Sequence, residues 1–146
     1  MLQISGTWVG EQRLTSVTGA ECLAPVFDEL LTLPSQFRAT VTQSGADVTA
    51  VLDIGHTGSV CTFSGSLDGN GLDLTQIECS GTGTLALSCG NGTMRDLRPA
   101  SETIHATING GTIIGLAMEN DNVLVSGTGD RVAVLGAASS FTLTRQ

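Results

Sequence analysis

Apolar and polar residues alternate along most of this chain in short runs. In the run 37–42, Phe37, Ala39 and Val41 alternate with arginine and threonine, and the run 48–54 repeats the pattern. A period of two places the apolar side chains on one face of a β-strand. Breaks rich in glycine, asparagine and aspartate separate the runs. The pattern therefore predicts an all-β chain of short strands joined by tight turns.

Turn signals recur at a spacing of about eight to twelve residues, which is typical of sandwiches and up-and-down barrels. The first predicted strand is 5–17 and the last is 140–145. Between them the predicted turns are 44–45, 55–58, 68–71, 81–83, 90–92, 109–111, 120–122 and 127–130. Short connections favour a meander, and a long meander leaves two unpaired edges unless it closes. We predict a single domain over 1–146, an antiparallel up-and-down meander barrel of about eight to ten strands.

The one long connection joins the first two predicted strands and carries the only predicted helix, 24–33. Pro25 near its start and Pro34 beyond its end are helix start and stop signals. Phe27 and Leu30 contribute to a broad apolar face, which a short helix must bury against something apolar. Two interpretations follow: a plug packed over the barrel end, or a lid over a ligand entrance.

The four cysteines are even in number and have no CxxC spacing, which favours disulfides over a zinc site. They are Cys22, Cys61, Cys79 and Cys89. Disulfides persist in oxidising compartments, so we expect a secreted or periplasmic protein. Since Met1 runs directly into the first predicted strand, we expect that a secretory leader is absent from this chain.

Strand directions predict how the cysteines pair. If successive strands alternate in direction, all four cysteines lie in the same half of the barrel. Setting Leu67 opposite Asp73 across the 68–71 turn brings Cys61 opposite Cys79. A slip of one residue would break that match. The other two cysteines then pair with each other and tie the helical connection to the barrel wall.

Charge limits the classes of partner. The chain has a net charge of −8, no lysine, and six arginines spread along its length. Nucleic acids and anionic membrane surfaces require clustered positive charge, so neither is an expected partner. No apolar run approaches the ~20 residues of a spanning helix, and we expect no membrane insertion.

No arrangement of residues in the sequence indicates catalysis or metal binding. His56 lies in a predicted turn and His105 on a predicted strand, and neither has an acid or cysteine at ligand spacing. Asp68, Asn70 and Asp73 lack the other ligands of a calcium loop and indicate a hairpin turn. Nucleophile and phosphate-binding motifs are absent. We predict no cofactor, no metal and no enzymatic activity.

The two ends of the chain carry a recognisable pair of residues. The only tryptophan, Trp8, lies on the first predicted strand, and the last strand ends on Arg145. In a barrel whose first strand meets its last, the guanidinium can stack on the indole, which is worth roughly 0.5–2 kcal/mol. Together with Gly6 and Thr7 they resemble the calycins, which include lipocalins, intracellular fatty-acid-binding proteins and avidins. The hairpin 63–74 resembles those of small bacterial lipocalin-like proteins.

The resemblance implies a calycin-like barrel in which Gly6, Trp8 and Arg145 have structural roles. It implies a non-catalytic protein that binds a small hydrophobic ligand. The chain departs from each branch of the family: no helix is predicted before the last strand, tyrosine is absent, and there is a single tryptophan. Those departures remove the specific expectations of a fatty acid or biotin.

Apolar residues that alternate inward on the strands, or face the barrel from the helix, are the candidate ligand-binding residues. They are Phe27, Phe37, Leu52, Phe63 and Leu116. The alternative is that they fill the interior, because eight-stranded barrels are only just wide enough for side chains. A filled barrel would favour a second hypothesis, a protein-interaction module such as a barrel-type protease inhibitor. Such a module would act through its N-terminal tail or a loop.

Overall fold

The computed structural model describes residues 2–19, 21–31, 34–54, 59–81, 85–90 and 92–146. Within these ranges a 3-10 turn, Glu21–Leu23, precedes one helix, α1 Ala24–Leu30. The strands are β1 Gly6–Thr18, β2 Pro34–Ser44, β3 Asp47–Ile54, β4 Ser59–Asp68, β5 Gly71–Gly81, β6 Leu85–Ser88, β7 Met94–Asn109, β8 Thr112–Val125 and β9 Arg131–Arg145. The predicted turn 55–58 with its His56, and positions 32–33, 82–83 and 91, lie outside the described residues.

The sheet closes on itself. Its strand order is β5-β4-β3-β2-β1-β9-β8-β7-β6, and an additional pairing of β5 with β7 closes the ring. Eight strands therefore form the barrel, while β6 pairs only with the first residues of β7. All the pairings are antiparallel. The predicted all-β meander barrel, with one short helix between the first two strands, is confirmed.

The last three strands are longer than the sequence predicts. The predicted turn 120–122 is wrong, because these residues continue β8. Asn120 pairs with Ser101 on β7 and with Gly136 on β9. Pairing with a strand on each side satisfies the backbone hydrogen bonds of these residues, and this outweighs the turn preference of asparagine and aspartate. Pro99 lies inside β7 at a register shift, the place where a sheet tolerates proline.

Two apolar clusters fill the molecule. The main core lies inside the barrel and contains Trp8, Phe37, Phe63 and Phe141. The end cluster joins the 3-10 turn and α1 to the extended ends of β7, β8 and β9. Its buried members are Leu23, Phe27, Cys89, Leu97, Val123 and Leu135. The helix thus packs over one barrel end, as both the plug and the lid interpretations require.

Both predicted disulfides are present, Cys61–Cys79 and Cys22–Cys89. The turn register used to predict the first pair is nevertheless wrong by one residue. Leu67 pairs with Leu72, and a register shift at Thr62 restores the match before Cys61. The second disulfide ties the 3-10 turn to the segment after β6.

The first and last strands meet as predicted. Trp8 pairs with Arg145 in the β1–β9 register, and the Arg145 guanidinium carbon lies 4.7 Å from the centroid of the indole ring. Trp8 is fully buried, and its Nε1 donates a 2.9 Å hydrogen bond to the Ile4 carbonyl. These contacts plug the barrel end opposite the helix. Gly6 opens the first strand at a φ of 139°, a conformation that favours glycine.

Candidate functional site

The barrel contains a partly open apolar cavity lined by residues of the main core. Its walls come from strands on all sides of the barrel and include Phe37, Ala39, Leu52, Leu74, Ala117 and Phe141. Two polar side chains, Gln12 of β1 and Glu102 of β7, also line the cavity. An apolar cavity with a few converging polar groups is the usual form of a small-molecule site.

The cavity is small. The space open to the centre of a water-sized sphere is about 30 Å³, whereas a single water needs roughly 10–15 Å³ by the same kind of measure. Side chains of the main core pack around it. Phe37 and Phe141 meet edge to face there, with ring centroids 5.8 Å apart. In this conformation the cavity suits a molecule of a few non-hydrogen atoms and excludes a long acyl chain.

The five candidate ligand-binding residues fall into three groups. Phe37 and Leu52 line the cavity. Phe63 is 1% exposed and packs within the main core, and Phe27 packs in the end cluster, so neither is among the described lining residues. The expectation that Leu116 faces inward is wrong, since it is 57% exposed. The buried residues Ile113 and Ala117 place odd-numbered positions of this part of β8 inside, which turns Leu116 outward.

Three carboxyl groups point into the barrel between the main core and the end cluster. Glu102 follows the inward pattern of Ile104 on β7, and Glu119 and Asp121 follow that of Ala117 on β8. Glu102 and Glu119 are direct partners in the β7–β8 register. Glu102 and Asp121 are each 9% exposed, and Glu119 is partly buried. We call these three residues the acidic layer.

Burial is the main cause of the raised pKa values in the acidic layer. It raises the pKa of Glu102 to about 7, with a smaller contribution from the negative charge of Asp121. Burial likewise raises the pKa of Glu119 well above its usual value, and the charges of Asp121 and Glu102 raise it further. Burial also raises the pKa of Asp121, while a hydrogen bond from Glu119 lowers it by less; the same bond raises the pKa of Glu119, as expected when protonated Glu119 donates to ionised Asp121.

The acidic layer has no cationic partner among the buried side chains that the structure describes. No basic group contributes to the pKa shifts of its three members. Basic side chains are also absent from the buried residues of the described ranges. Two buried acceptor oxygens, Oδ1 of Asp121 and Oε1 of Gln76, have no hydrogen-bond partner. Buried polar atoms normally find a partner, so each orphaned oxygen is a place where a donor is missing.

The acidic layer is not predicted from the sequence, because the predicted turn at 120–122 interrupts the strand that carries Asp121. The two-residue period of inward-facing positions is nevertheless enough to predict it. Counting back by two from Ile108 and Ile104 reaches Glu102, and counting forward by two from Ala117 reaches Glu119 and Asp121. A β7 extended back to Glu102 and a continuous β8 together place all three carboxyls on the inner face.

The chain before β1 is tied to the barrel end. The Ile4 amide donates to Oε1 of Gln43 at 2.8 Å, and Nε2 of Gln43 donates to the Leu2 carbonyl at 2.8 Å. Ile4 itself is 1% exposed and belongs to the main core. Residues 2–5 therefore do not form a projecting tail of the kind that the inhibitor hypothesis uses.

One outer surface of the barrel is apolar. Ile114, Leu116 and Met118 alternate outward on β8 and are 52%, 57% and 54% exposed. On the adjacent β7 strand His105 pairs with Leu116 in register. Nδ1 of His105 is hydrogen-bonded to a carboxylate oxygen of Asp73 on β5, and both side chains are exposed.

No protein-family model matches this chain, and no curated protein sequence matches it. The fold itself, a closed eight-stranded antiparallel barrel, is consistent with a calycin-like architecture. Among the residues that the structure describes, no helix is long and apolar enough to cross a membrane. In the same ranges no group of three or more histidine, cysteine or acidic side chains has the spacing to hold a metal ion.

Proposed function

We propose that this protein is a non-catalytic, lipocalin-like barrel that binds a small and largely apolar molecule in its interior. The observation that carries the proposal is the cavity inside the barrel, whose described lining is apolar except for Gln12 and Glu102. Removing apolar surface from water contributes about 25 cal/mol per Å². The two polar groups would orient the ligand rather than supply most of its affinity.

The cavity limits the class of ligand. Its volume of about 30 Å³ fits a compact molecule. Ligands of the size of a retinoid or an acyl chain would require the aromatic pair Phe37 and Phe141 to separate. We place the protein outside the cytoplasm, in a secreted or periplasmic location, because two disulfides fit an oxidising compartment. The calycin resemblance of Trp8 and Arg145 supports the same class of protein.

Native mass spectrometry of the oxidised protein after exposure to a total metabolite extract tests the proposal. The expected result is a discrete added mass of a small molecule. The matched control is Ala117→Leu, which fills the cavity from a buried wall position and should lose that mass. A bare protein mass after every extract would contradict the proposal. It would favour instead a filled barrel that acts as a protein-interaction module, whose exposed apolar surface is the stripe Ile114, Leu116 and Met118.

A further inference from the structure

The charged part of the interior site is entirely acidic. Glu102 lines the cavity itself, and its register partner Glu119 lies beside it on the same inner face. Asp121 follows two residues later on that face and is buried. Like charges held this close disfavour one another, and the described interior offers no basic side chain to offset them. A bound cation would remove that repulsion.

The unsatisfied atoms are both acceptors. Asp121 is 9% exposed, yet its Oδ1 is buried without a partner, and Oε1 of Gln76 is orphaned in the same way. Gln76 lies one position beyond the pair Thr75–Thr103, which places it next to Glu102 across β5 and β7. What these oxygens lack is a hydrogen-bond donor. An ammonium group has three donors and no acceptor.

Other ligand chemistries fit these residues less well. A metal ion requires several ligands at fixed spacing, and the described residues contain no such group. An anionic ligand would add charge of the same sign to three carboxyls. A neutral alcohol can donate only one hydrogen bond and leaves the negative charge uncompensated. A primary alkylammonium combines three donors, one positive charge and an apolar chain for the cavity wall.

We propose that the molecule bound in this barrel is a small primary amine, with its alkyl part in the apolar cavity and its ammonium group against Glu102. This inference rests on the proposed function, since it specifies the ligand class of the same cavity. Asp121 and Glu119 are positioning residues: Asp121 holds negative charge behind the carboxylate that touches the ligand, and Glu119 is hydrogen-bonded to Asp121.

The test compares three probes of nearly equal size: propylamine, 1-propanol and propionate. Calorimetric titration is done at about pH 8, where an alkylammonium remains protonated because its usual pKa is about 10.4. The expected order is propylamine, then 1-propanol at least about ten-fold weaker, with no measurable propionate binding. Glu102→Gln keeps the shape of the side chain and should abolish the preference for the amine, so that propylamine and 1-propanol bind with about equal affinity. Glu78→Gln, at an exposed position on β5, is the matched control and should change neither.

A second measurement does not depend on any variant. Because the pKa of Glu102 is raised to about 7, more of its carboxylate is ionised at about pH 8 than at about pH 5. The affinity for propylamine should rise over that interval, whereas that for 1-propanol should stay constant. Equal and pH-independent binding of the two probes would overturn the amine inference but leave the proposed function intact. Binding of neither probe would overturn the proposed function itself. In that case the orphaned oxygens would be satisfied by buried water alone.

Discussion

Glu102 on β7 lies directly opposite Glu119 on β8, and both side chains face the barrel interior. Directly opposed residues of an antiparallel pair have Cβ atoms about 4.5–5.5 Å apart, where like charges destabilise the sheet. Asp121 adds a third acid two residues along. Burial and the neighbouring negative charges raise the pKa values of Glu102 and Glu119, and proton binding therefore links the stability of the protein, its pH response and the ligand chemistry we infer.

The first prediction concerns stability against pH. Burial raises the pKa of Glu102 from 4.5 to about 7, so the folded protein binds this proton more tightly than the unfolded chain. Stability should therefore be highest below the unfolded pKa, fall as the pH rises between the two values, and level off above the folded one. For Glu102 alone the loss is about 2–3 kcal/mol. Urea unfolding at about pH 5 and about pH 8 measures it.

Glu102→Gln supplies the control for that prediction. The titratable groups that face Glu102 are Glu119 and Asp121 on β8, while its neighbour on β5, Gln76, does not titrate. The loss of unfolding free energy between about pH 5 and about pH 8 should be smaller in the variant than in the original protein, by the same roughly 2–3 kcal/mol. Glu78→Gln should keep the original pH profile. Identical profiles for the original protein and Glu102→Gln would show that this carboxyl is not a buried proton site.

The second prediction concerns the closure of the barrel by Trp8 and Arg145. Arg145→Ala removes a guanidinium that lies 4.7 Å from the indole centroid and that donates a hydrogen bond to the Gln3 carbonyl. The free energy of unfolding should fall by about 1–2 kcal/mol. Fluorescence of the single tryptophan should report the change directly. Arg131→Ala, an exposed arginine at the start of β9, serves as the control; an equal loss there would show that the effect is not specific to the stack.

The third prediction concerns the close approach of β1 and β9. A Cβ added at Gly10 would lie 1.9 Å from the Thr142 carbonyl oxygen, and a backbone atom cannot move aside as a flexible side chain does. Gly10→Ala should therefore cost at least about 2 kcal/mol of stability. Gly111→Ala lies in a hairpin where an added Cβ meets nothing within 4 Å. It should change stability by less than about 0.5 kcal/mol. Equal stability of the two variants would contradict the tight β1–β9 contact.

Sequence patterns predict those parts of this molecule in which local and tertiary preferences agree. Alternation with short turns predicts the meander, and the unpaired edges of a long meander predict closure. Trp8 and Arg145 meet because they lie at equivalent heights on the first and last strands. The pairing of Cys61 with Cys79 is predicted correctly even though the turn register is not, because a register shift in the hairpin compensates for the error.

The candidate site is less predictable because it depends on which face of a strand is inside. Leu116 has the hydrophobicity of a core residue, but the parity of β8 turns it outward. Asp121 has the character of a turn residue, but pairing on both sides keeps it in a strand and buries it. The size of the cavity follows from how Phe37, Phe141 and their neighbours pack together. That packing depends on the tertiary structure, and no periodic pattern in the sequence reports it.

The most direct test of ligand binding in the interior uses the alanine methyl groups of the protein. Ala39, Ala50 and Ala117 line the cavity, whereas Ala46 and Ala100 are exposed. In protein labelled with ¹³C at alanine methyls, NMR spectra are recorded during titration with propylamine and then with 1-propanol. The chemical shifts of the three cavity methyls should change along saturable curves, and those of the two exposed methyls should not change. Unchanged chemical shifts of the cavity methyls, or equal changes at all five methyls without saturation, would contradict ligand binding in the barrel interior.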